Sequence, residues 1–367
     1  MLLLDIDRGS FLAALGAVVG VVERRHTLPI LANVLIKRSG QELRVQATDL
    51  ELQVNARLPD TGGEDFALTT GARKLYDIVR ALPEGGRVKL ETRDALLEVK
   101  CGRAKFTLQT LPAADFPAIE TQAGTQAPVS IAQKEFKRLL QQVQFAMAQQ
   151  DIRYYLNGML LVLEGQTLRA VATDGHRLAL AESRLSEAAE NREVILPRKT
   201  IAELAKQLAE TDDPVQITLG DNQASFNLGT SLLVSKIIDG KFPDYQRVVP
   251  QNHQKLLGLE RQTAINTLQR AAILSSDKFR GVRLVMSPGS LRVVCNNNEQ
   301  EEAQEEIEAE YSAEPLDIGF NVAYLLDGLA AVKAERITLA FQDPNQSVLL
   351  VQPDENSFKY VVMPMRI

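Results

Sequence analysis

Asp174, His176 and Arg177 stand together in LRAVATDGHRLAL, Leu168 to Leu180, with Gly175 between them. An acid, an imidazole and a guanidinium at this spacing suit acid–base chemistry, in which a carboxylate orients the histidine. The same core is printed earlier as LRVQATDLELQV, Leu43 to Val54, where Asp49 matches Asp174 but no histidine or glycine follows. A catalytic loop is not usually printed twice with its chemistry missing from one copy. Matched aspartates point instead to a structural Asx turn that closes a strand. The rest of the chain gives the enzyme reading little support. Of three histidines, His26 and His253 stand apart from His176, and Cys101 and Cys295 lack the clustered spacing of a zinc site. Neither a phosphate-loop glycine signature nor a G-x-S-x-G elbow occurs. The sequence therefore predicts no catalytic residue, no metal and no cofactor.

The elements around these turns repeat three times, with a period near one third of the chain. Leu43, Leu168 and Leu291 each open strand-like alternation after a glycine turn, in SGQEL, EGQTL and SPGSL. Upstream lies a helical stripe: Phe11, Leu15, Val18, Val19 and Val22; then Phe136, Leu139, Leu140, Val143 and Met147; then Ala264, Ile265, Leu268, Ala271 and Ala272. Downstream a second helix recurs as Leu75, Ile78, Val79 and Leu82, as Ile201, Leu204, Ala205 and Leu208, and as Val322, Leu325, Leu326 and Leu329. Polar, aperiodic stretches, Glu120 to Ser130 and Val248 to Gln254, separate the copies. The expectation is an α+β chain of three equivalent domains, 1–125, 126–249 and 250–367, each with two helices packed on antiparallel sheets.

Composition bounds the function. A chain of 367 residues exceeds one ordinary core, and a net charge of −6 means that any nucleic-acid partner needs a local basic surface. Two cysteines make no disulfide framework and favour a reducing cytoplasm. The apolar run Phe11 to Val22 follows Asp5 and Asp7 and is too short to span a bilayer, so it reads as a buried helix. On the residues alone, a repeat scaffold without DNA contact and a monomeric DNA-binding protein both remain open.

Several segments, taken in order, resemble one family. They are TLPILANVL (Thr27 to Leu35), TLPAADFP (Thr110 to Pro117), QDIRYYLNGML (Gln150 to Leu160), ATDGHRLA (Ala172 to Ala179), DGKFPDY (Asp239 to Tyr245), SSDKFRGVRL (Ser275 to Leu284), IGFNVAYLLD (Ile318 to Asp327) and YVVMPMRI (Tyr360 to Ile367). The chain looks like the bacterial sliding clamps, the beta subunits of DNA polymerase III, over its whole length. The resemblance implies a head-to-tail homodimeric ring of six domains around duplex DNA, without base readout. It implies a processivity factor working on the nucleoid in the cytoplasm and tethering the replicative polymerase, the clamp loader and repair proteins.

The resemblance also assigns residues. A pocket for a short partner peptide would be walled by Leu156, Thr173, Gly175, His176, Arg177 and Leu178, continued by Pro243, Arg247, Val248 and Phe279, with Asn321 and Tyr324 nearby. Ser347, Val361, Val362, Met363, Pro364, Met365 and Arg366 would finish its far side, where methionine adapts to many partners. Arg73, Lys74, Arg80, Lys137, Arg138, Arg198, Lys199 and Lys206 on the predicted helices would face DNA. Arg24, Gln149, Tyr154 and Tyr155 would touch duplex or template strand, with core packing the alternative for one tyrosine. The dimer interface would set Lys100, Arg103 and Lys105 against Glu299, Glu301, Glu302, Glu305 and Glu306, around an apolar centre of Phe106, Leu108, Ile273 and Leu274. A solvated acidic face is the alternative for the glutamates.

Overall fold

A computed structural model describes residues 1–23, 28–59, 61–120, 127–251, 253–275, 280–353 and 355–367. Arg24 and Phe279 lie outside the described residues. The first repeat runs β1 (Leu2–Asp7), α1 (Arg8–Val18), β2 (Asn33–Ser39), β3 (Glu42–Thr48), β4 (Leu52–Leu58), β5 (Phe66–Gly71), α2 (Ala72–Ala81), β6 (Arg87–Arg93), β7 (Leu96–Cys101) and β8 (Ala104–Leu111). The second runs β9 (Val129–Ala132), α3 (Gln133–Val143), β10 (Gly158–Thr173), β11 (Arg177–Pro197), α4 (Arg198–Gln207), β12 (Pro214–Leu219), β13 (Gln223–Asn227) and β14 (Ser231–Lys236). The third runs β15 (Lys255–Glu260), α5 (Arg261–Ala271), β16 (Gly281–Ser287), β17 (Ser290–Asn296), β18 (Glu302–Glu308), β19 (Leu316–Asn321), α6 (Val322–Ala331), β20 (Arg336–Phe341), β21 (Val348–Gln352) and β22 (Glu355–Val362).

Each helical stripe read from the sequence forms a helix, because its apolar residues recur on one face and that face is buried. Phe11, Leu15 and Val18 of α1 and Phe136, Leu139, Leu140 and Val143 of α3 are all buried. Val22 falls beyond α1, which ends at Val18, but is buried as well. Capping fixes three of the starts: Asp7 accepts from Ser10 N at 2.9 Å, Glu260 from Gln262 N at 2.9 Å and Asn321 from Ala323 N at 3.0 Å. The glycine turns before the repeated strands need positive φ, and Gly40, Gly165 and Gly289 supply 59°, 56° and 82°. The stretch expected to link the first two repeats ends earlier than its composition suggests, since Val129 and Ser130 already belong to β9.

Contacts group the chain into two compact units. One comprises Met1–Lys134 with Ala202–Ile237, and its strands form a single sheet in the order β1-β6-β7-β8-β5-β2-β3-β4-β14-β13-β12-β9. The other comprises Glu135–Ile201 with Ile238–Ile367 and holds two sheets, β10-β11-β22-β21-β20-β15 and β18-β17-β16-β19. The grouping cuts through the second repeat because sheets run on from one repeat into the next. β14 pairs antiparallel with β4, from Ser231↔Ala56 to Ser235↔Leu52. β22 pairs with β11 in the same way, from Arg177↔Val362 to Ala181↔Phe358. The last strand of one repeat thus completes the sheet of the repeat before it.

Two edges are left by this rule. β18, the third repeat's counterpart of β4, is the outer strand of its sheet. β8, the first repeat's counterpart of β14 and β22, pairs with β7 along its length but with β5 only at Thr69↔Leu111 and Thr70↔Thr110.

Within the second unit, α6 lies close to β22. A Cβ added at Gly328 would overlap the Tyr360 ring, which is itself buried at 1 % exposure. Gly328→Ala is expected to destabilise this unit by about 1–3 kcal/mol through overpacking, despite alanine's better helix propensity. Chemical denaturation monitored by tyrosine fluorescence measures it; an unchanged midpoint contradicts the packing described.

Candidate functional site

The repeated turn is built the same way in its two matching copies. Asp174 Oδ1 accepts from His176 N at 2.9 Å and Arg177 N at 3.0 Å, while Thr173 Oγ1 donates to Arg177 O at 2.6 Å. Asp49 Oδ1 accepts from Glu51 N at 2.9 Å and Leu52 N at 2.7 Å, while Thr48 Oγ1 donates to Leu52 O at 3.0 Å. The third copy keeps the acceptor as an amide: Asn297 Oδ1 accepts from Glu299 N at 2.9 Å and Glu301 N at 3.0 Å. The left-handed residue is Gly175 in one turn, Leu50 in another and Gln300 in the third, with φ of 89°, 78° and 64°. An aspartate spent on backbone amides is a strand-closing acceptor, which accounts for Asp174 without catalysis.

Arg177 turns this copy into a knot. Its Nε pairs with Asp174 Oδ2 at 3.1 Å, its Nη1 with Asp327 Oδ2 at 2.5 Å, and its Nη2 donates to Phe145 O at 2.7 Å. The guanidinium also sits 4.4 Å from the Tyr324 ring centroid and 5.4 Å from that of Phe145. Tyr360 donates its hydroxyl to Tyr324 O at 2.9 Å, and burial pushes its phenol well above the ordinary value, so it stays a neutral donor. Arg177 therefore fastens the turn to α6 and to the end of α3's following turn. Its polar atoms are already engaged within the chain.

Beside the knot lies one apolar cluster. Leu156, Leu178 and Val361 are buried in it with Leu160, Val171, Leu180 and Phe242, and Val248 and Tyr155 pack on its margin. Four expected wall residues, Leu156, Leu178, Val248 and Val361, are thus brought together. Leu160, Val171, Leu180 and Phe242 were not anticipated, although strand alternation from Leu178 to Leu180 carries the signal for one of them.

Val362 is a correction: neighbouring strand residues face opposite sides, so it turns with Tyr360 into the core holding Leu268, Leu325 and Leu350. Asn321, expected near the site, uses its side-chain oxygen as the cap of α6. Ser347 contributes its carbonyl to His253 Nε2 at 2.7 Å. Pro243 and Arg247 are exposed, the latter paired with Asp244 at 2.9 Å. The tail is held by backbone bonds, Met363 N to His176 O at 2.8 Å and Met365 N to Gly319 O at 2.9 Å. Met363 and Arg366 stay exposed and Pro364 and Met365 are half-buried.

The basic residues divide into two kinds. In the first unit Arg73, Lys74 and Arg80 lie on the exposed side of α2, with Arg73 Nη2 donating to Val22 O at 2.7 Å and Arg80 paired to Asp77 at 2.8 Å. Lys206 is exposed on α4 and pairs loosely with Glu203 at 3.7 Å. In the second unit Lys137 and Lys199 are half-buried. Arg138 is tied to Gln142 at 2.8 Å, Glu135 at 3.2 Å and Glu355 at 3.5 Å, and Arg198 donates to Met147 O at 3.1 Å. Those two arginines brace their own chain. Gln149 is exposed and Tyr154 is 57 % exposed, whereas Tyr155 is half-buried on the apolar cluster, the packing alternative for one of the tyrosine pair.

Of the residues expected at the dimer interface, Lys105, Phe106 and Leu108 lie on β8 and Glu302, Glu305 and Glu306 on β18, the two leftover edges. Lys100 is on β7, and the rest are in turns. Phe106 and Leu108 lie on β8, Phe106 being 38 % exposed, and Ile273, in the turn after α5, is 77 % exposed beside half-buried Leu274. Glu302, Glu305 and Glu306 are on β18, and Glu299 and Glu301 lie in the turn before it. Lys100 and Lys105 are bound within their own sheet, to Glu98 at 3.1 Å and 2.7 Å, and Lys100 also to Glu91 at 2.6 Å. Arg103 is exposed in the turn between β7 and β8. Glu305 is bridged by Arg270, which holds its carboxyl below the usual range.

Family models for the DNA polymerase III beta subunit match three successive stretches: the N-terminal domain at residues 2–120, the central domain at 130–244 and the C-terminal domain at 246–366. The beta sliding clamp of Pseudomonas aeruginosa is 47 % identical over 364 residues, covering 99 % of each chain. That of Escherichia coli is 42 % identical over 363 residues, again covering 99 % of each. The chain belongs to the DNA polymerase III beta subunit family. Among solved structures, a Pseudomonas aeruginosa sliding clamp bound to griselimycin superposes with a TM-score of 0.96 at 46 % identity, covering all of both chains. A Caulobacter crescentus clamp gives 0.93 at 38 %, covering 99 % of both.

Members of this family are processivity factors of DNA replication, and the chain is a non-catalytic subunit of that kind, with DNA and the polymerase as partners. Its three α+β domains with antiparallel sheets are beta-clamp domains. The turn at Asp174 is then structural, and replacing it tests the knot. Asp174→Ala is expected to cost roughly 2–3 kcal/mol of stability, because it removes the turn acceptor and one of the two carboxylates on a nearly buried arginine, Asp327 remaining. Asp49→Ala removes the acceptor of Glu51 N and Leu52 N without touching the Arg177 knot and is expected to cost about 1 kcal/mol. Equal losses in urea denaturation contradict the special role of Arg177.

Proposed function

We propose that two copies of the chain close head to tail around duplex DNA, with β8 of one copy running antiparallel along β18 of the other. The supporting observation is the pairing rule: β14 completes the sheet of β4 and β22 that of β11, so the remaining counterpart strands, β8 and β18, are complementary. Placed by Phe116 and Phe242, the counterpart of Ser231–Ser235 is Lys105–Gln109, which brings Phe106 and Leu108 to the acidic strand. A heterologous contact of this kind gives a closed ring when its rotation closes. The three repeats, taken as domains 1–125, 126–249 and 250–367, would supply half of it.

Arg73, Lys74, Arg80 and Lys206, with Lys137 and Lys199, are the lysines and arginines best suited to face the phosphates, joined by Gln149 and Tyr154 at a loop. The net charge of −6 fits sliding, since each phosphate neutralised tightens the grip through counterion release. The protein works in the cytoplasm, on the nucleoid; no helix among the described residues is long and apolar enough to cross a membrane.

The partner site is the apolar cluster at Leu156, Leu178, Val248 and Val361, flanked by Met363, Met365 and the exposed Arg247. The replicative polymerase, the clamp loader and repair proteins share it through a short peptide that inserts one or two apolar side chains, where desolvated contact carries the affinity. Arg177 shapes the wall from behind, and His176, exposed beside Gly175, stands at its rim.

Three outcomes follow. Once loaded, the protein is retained on circular DNA and lost from linear DNA at the same salt concentration; equal retention contradicts encirclement. Arg103→Glu weakens the dimer in sedimentation, more at low salt, where screening is least; an unchanged dissociation constant removes the charge pairing. Deleting Met363–Ile367 abolishes binding of a polymerase-derived motif peptide in calorimetry while the dimer persists; unchanged affinity removes the tail from the site.

A further inference from the structure

The segment between β14 and β15 carries Phe242, Tyr245, Val248 and Val249 onto the apolar cluster, yet none of residues 239–251 joins a strand. Its backbone is tied at one end, by Ile238 N to Ile195 O at 2.8 Å. Farther on, Val248 N and Val249 N donate to Tyr245 O at 3.1 and 3.3 Å, closing a single short turn. A segment without a ladder is positioned by its side chains, and its apolar contacts alone leave it free to slide. One polar anchor fixes it. Arg169 Nη1 donates to the Tyr245 hydroxyl at 3.0 Å, with the guanidinium 6.0 Å from the ring centroid.

Arg169 is itself held. Its side chain is 15 % exposed, and its Nε bonds Glu182 Oε1 at 2.5 Å, directly across the β10–β11 ladder. Its Nη1 also reaches Glu164 Oε2 at 3.2 Å. Charge-assisted bonds to a cross-strand carboxylate make the guanidinium a rigid donor standing on a strand pair. Tyr245 then links that fixed point to the turn bearing Val248.

We infer that Arg169 is a positioning residue for the partner site: through the Tyr245 hydroxyl it holds the 244–249 turn where Val248 meets the cluster, without touching the peptide. This rests on the reading of the cluster as the partner site. Preorganised walls bind better because less ordering is left to be done on association. Losing the anchor lowers affinity while every wall residue remains present.

Calorimetry with a polymerase-derived peptide carrying the short apolar motif, titrated into the intact dimer, tests the inference. Arg169→Met and Tyr245→Phe are each expected to weaken binding about three- to tenfold, one bond's worth. Combining them adds no further loss, since both remove the same link. Arg169→Lys, which keeps a donor for the hydroxyl, recovers most of the affinity. In hydrogen exchange the Val248 and Val249 amides speed up in Arg169→Met while β10 and β11 amides do not, a local loosening that general destabilisation does not produce.

Leu178→Ala serves as the control on the site itself. If it abolishes binding while Arg169→Met binds like the parent, or if the double variant loses the sum of both effects, the positioning role is overturned and the site stands. If Leu178→Ala also binds normally, the site reading falls and the inference with it.

Discussion

A β-strand cannot end a sheet in isolation at no cost: its outer amides and carbonyls need water, a cover or another strand. In this chain that constraint organises everything above the single repeat. The last strand of the second repeat closes the sheet of the first, and the last strand of the third closes that of the second. The series leaves β8 and β18 over, one bearing Phe106 and Leu108, the other a run of glutamates. In the proposed ring, one copy meets the other in the same way that the repeats meet within the chain. Dimerisation in the proposed ring is then a continuation of the intramolecular sheet.

The polar turns serve the same geometry. Asp49 and Asp174 cap the entry to β4 and β11, the two strands that receive a partner from the next repeat. The copies diverge in what is added. The first stays a turn, and the second acquires Arg177, which recruits Asp327 and the rings of Tyr324 and Phe145. That addition makes the turn between Thr173 and Leu178 rigid beside an apolar cluster with an exposed methionine at its edge. The site is therefore a modified repeat joint. In the proposed partner site the polar members hold the frame, and the peptide meets the apolar cluster from its margin at Val248 and Met363.

Much of this was legible in the sequence. Helical periodicity located the six α-helices of the described residues, because burial of one face is a local pattern, but not the short 3-10 turns; self-similarity gave the repeats. Matched aspartates gave the turn. What stayed hidden depended on partners far along the chain or on strand phase. Nothing near Arg177 announces Asp327, and nothing near Arg169 announces Tyr245. Val362 was read as a wall residue beside Val361, although adjacent strand residues cannot share a face. Lys100 and Lys105 read from the sequence as interface charges, yet both are paired with Glu98, which only the strand pairing brings beside Lys105. Tyr155 and Arg198 carry the composition of nucleic-acid contacts but are occupied by packing and by a carbonyl of their own chain.

Amide hydrogen exchange along β8 and β18, followed across a dilution series, tests the central claim most directly. Closure by strand pairing predicts that amides of 105–109 and 302–306 are protected in alternation at concentrations where the dimer prevails. It predicts that this protection is lost together as the dimer dissociates. Protection that ignores dilution, or a dimer in which both strands exchange freely, contradicts the account.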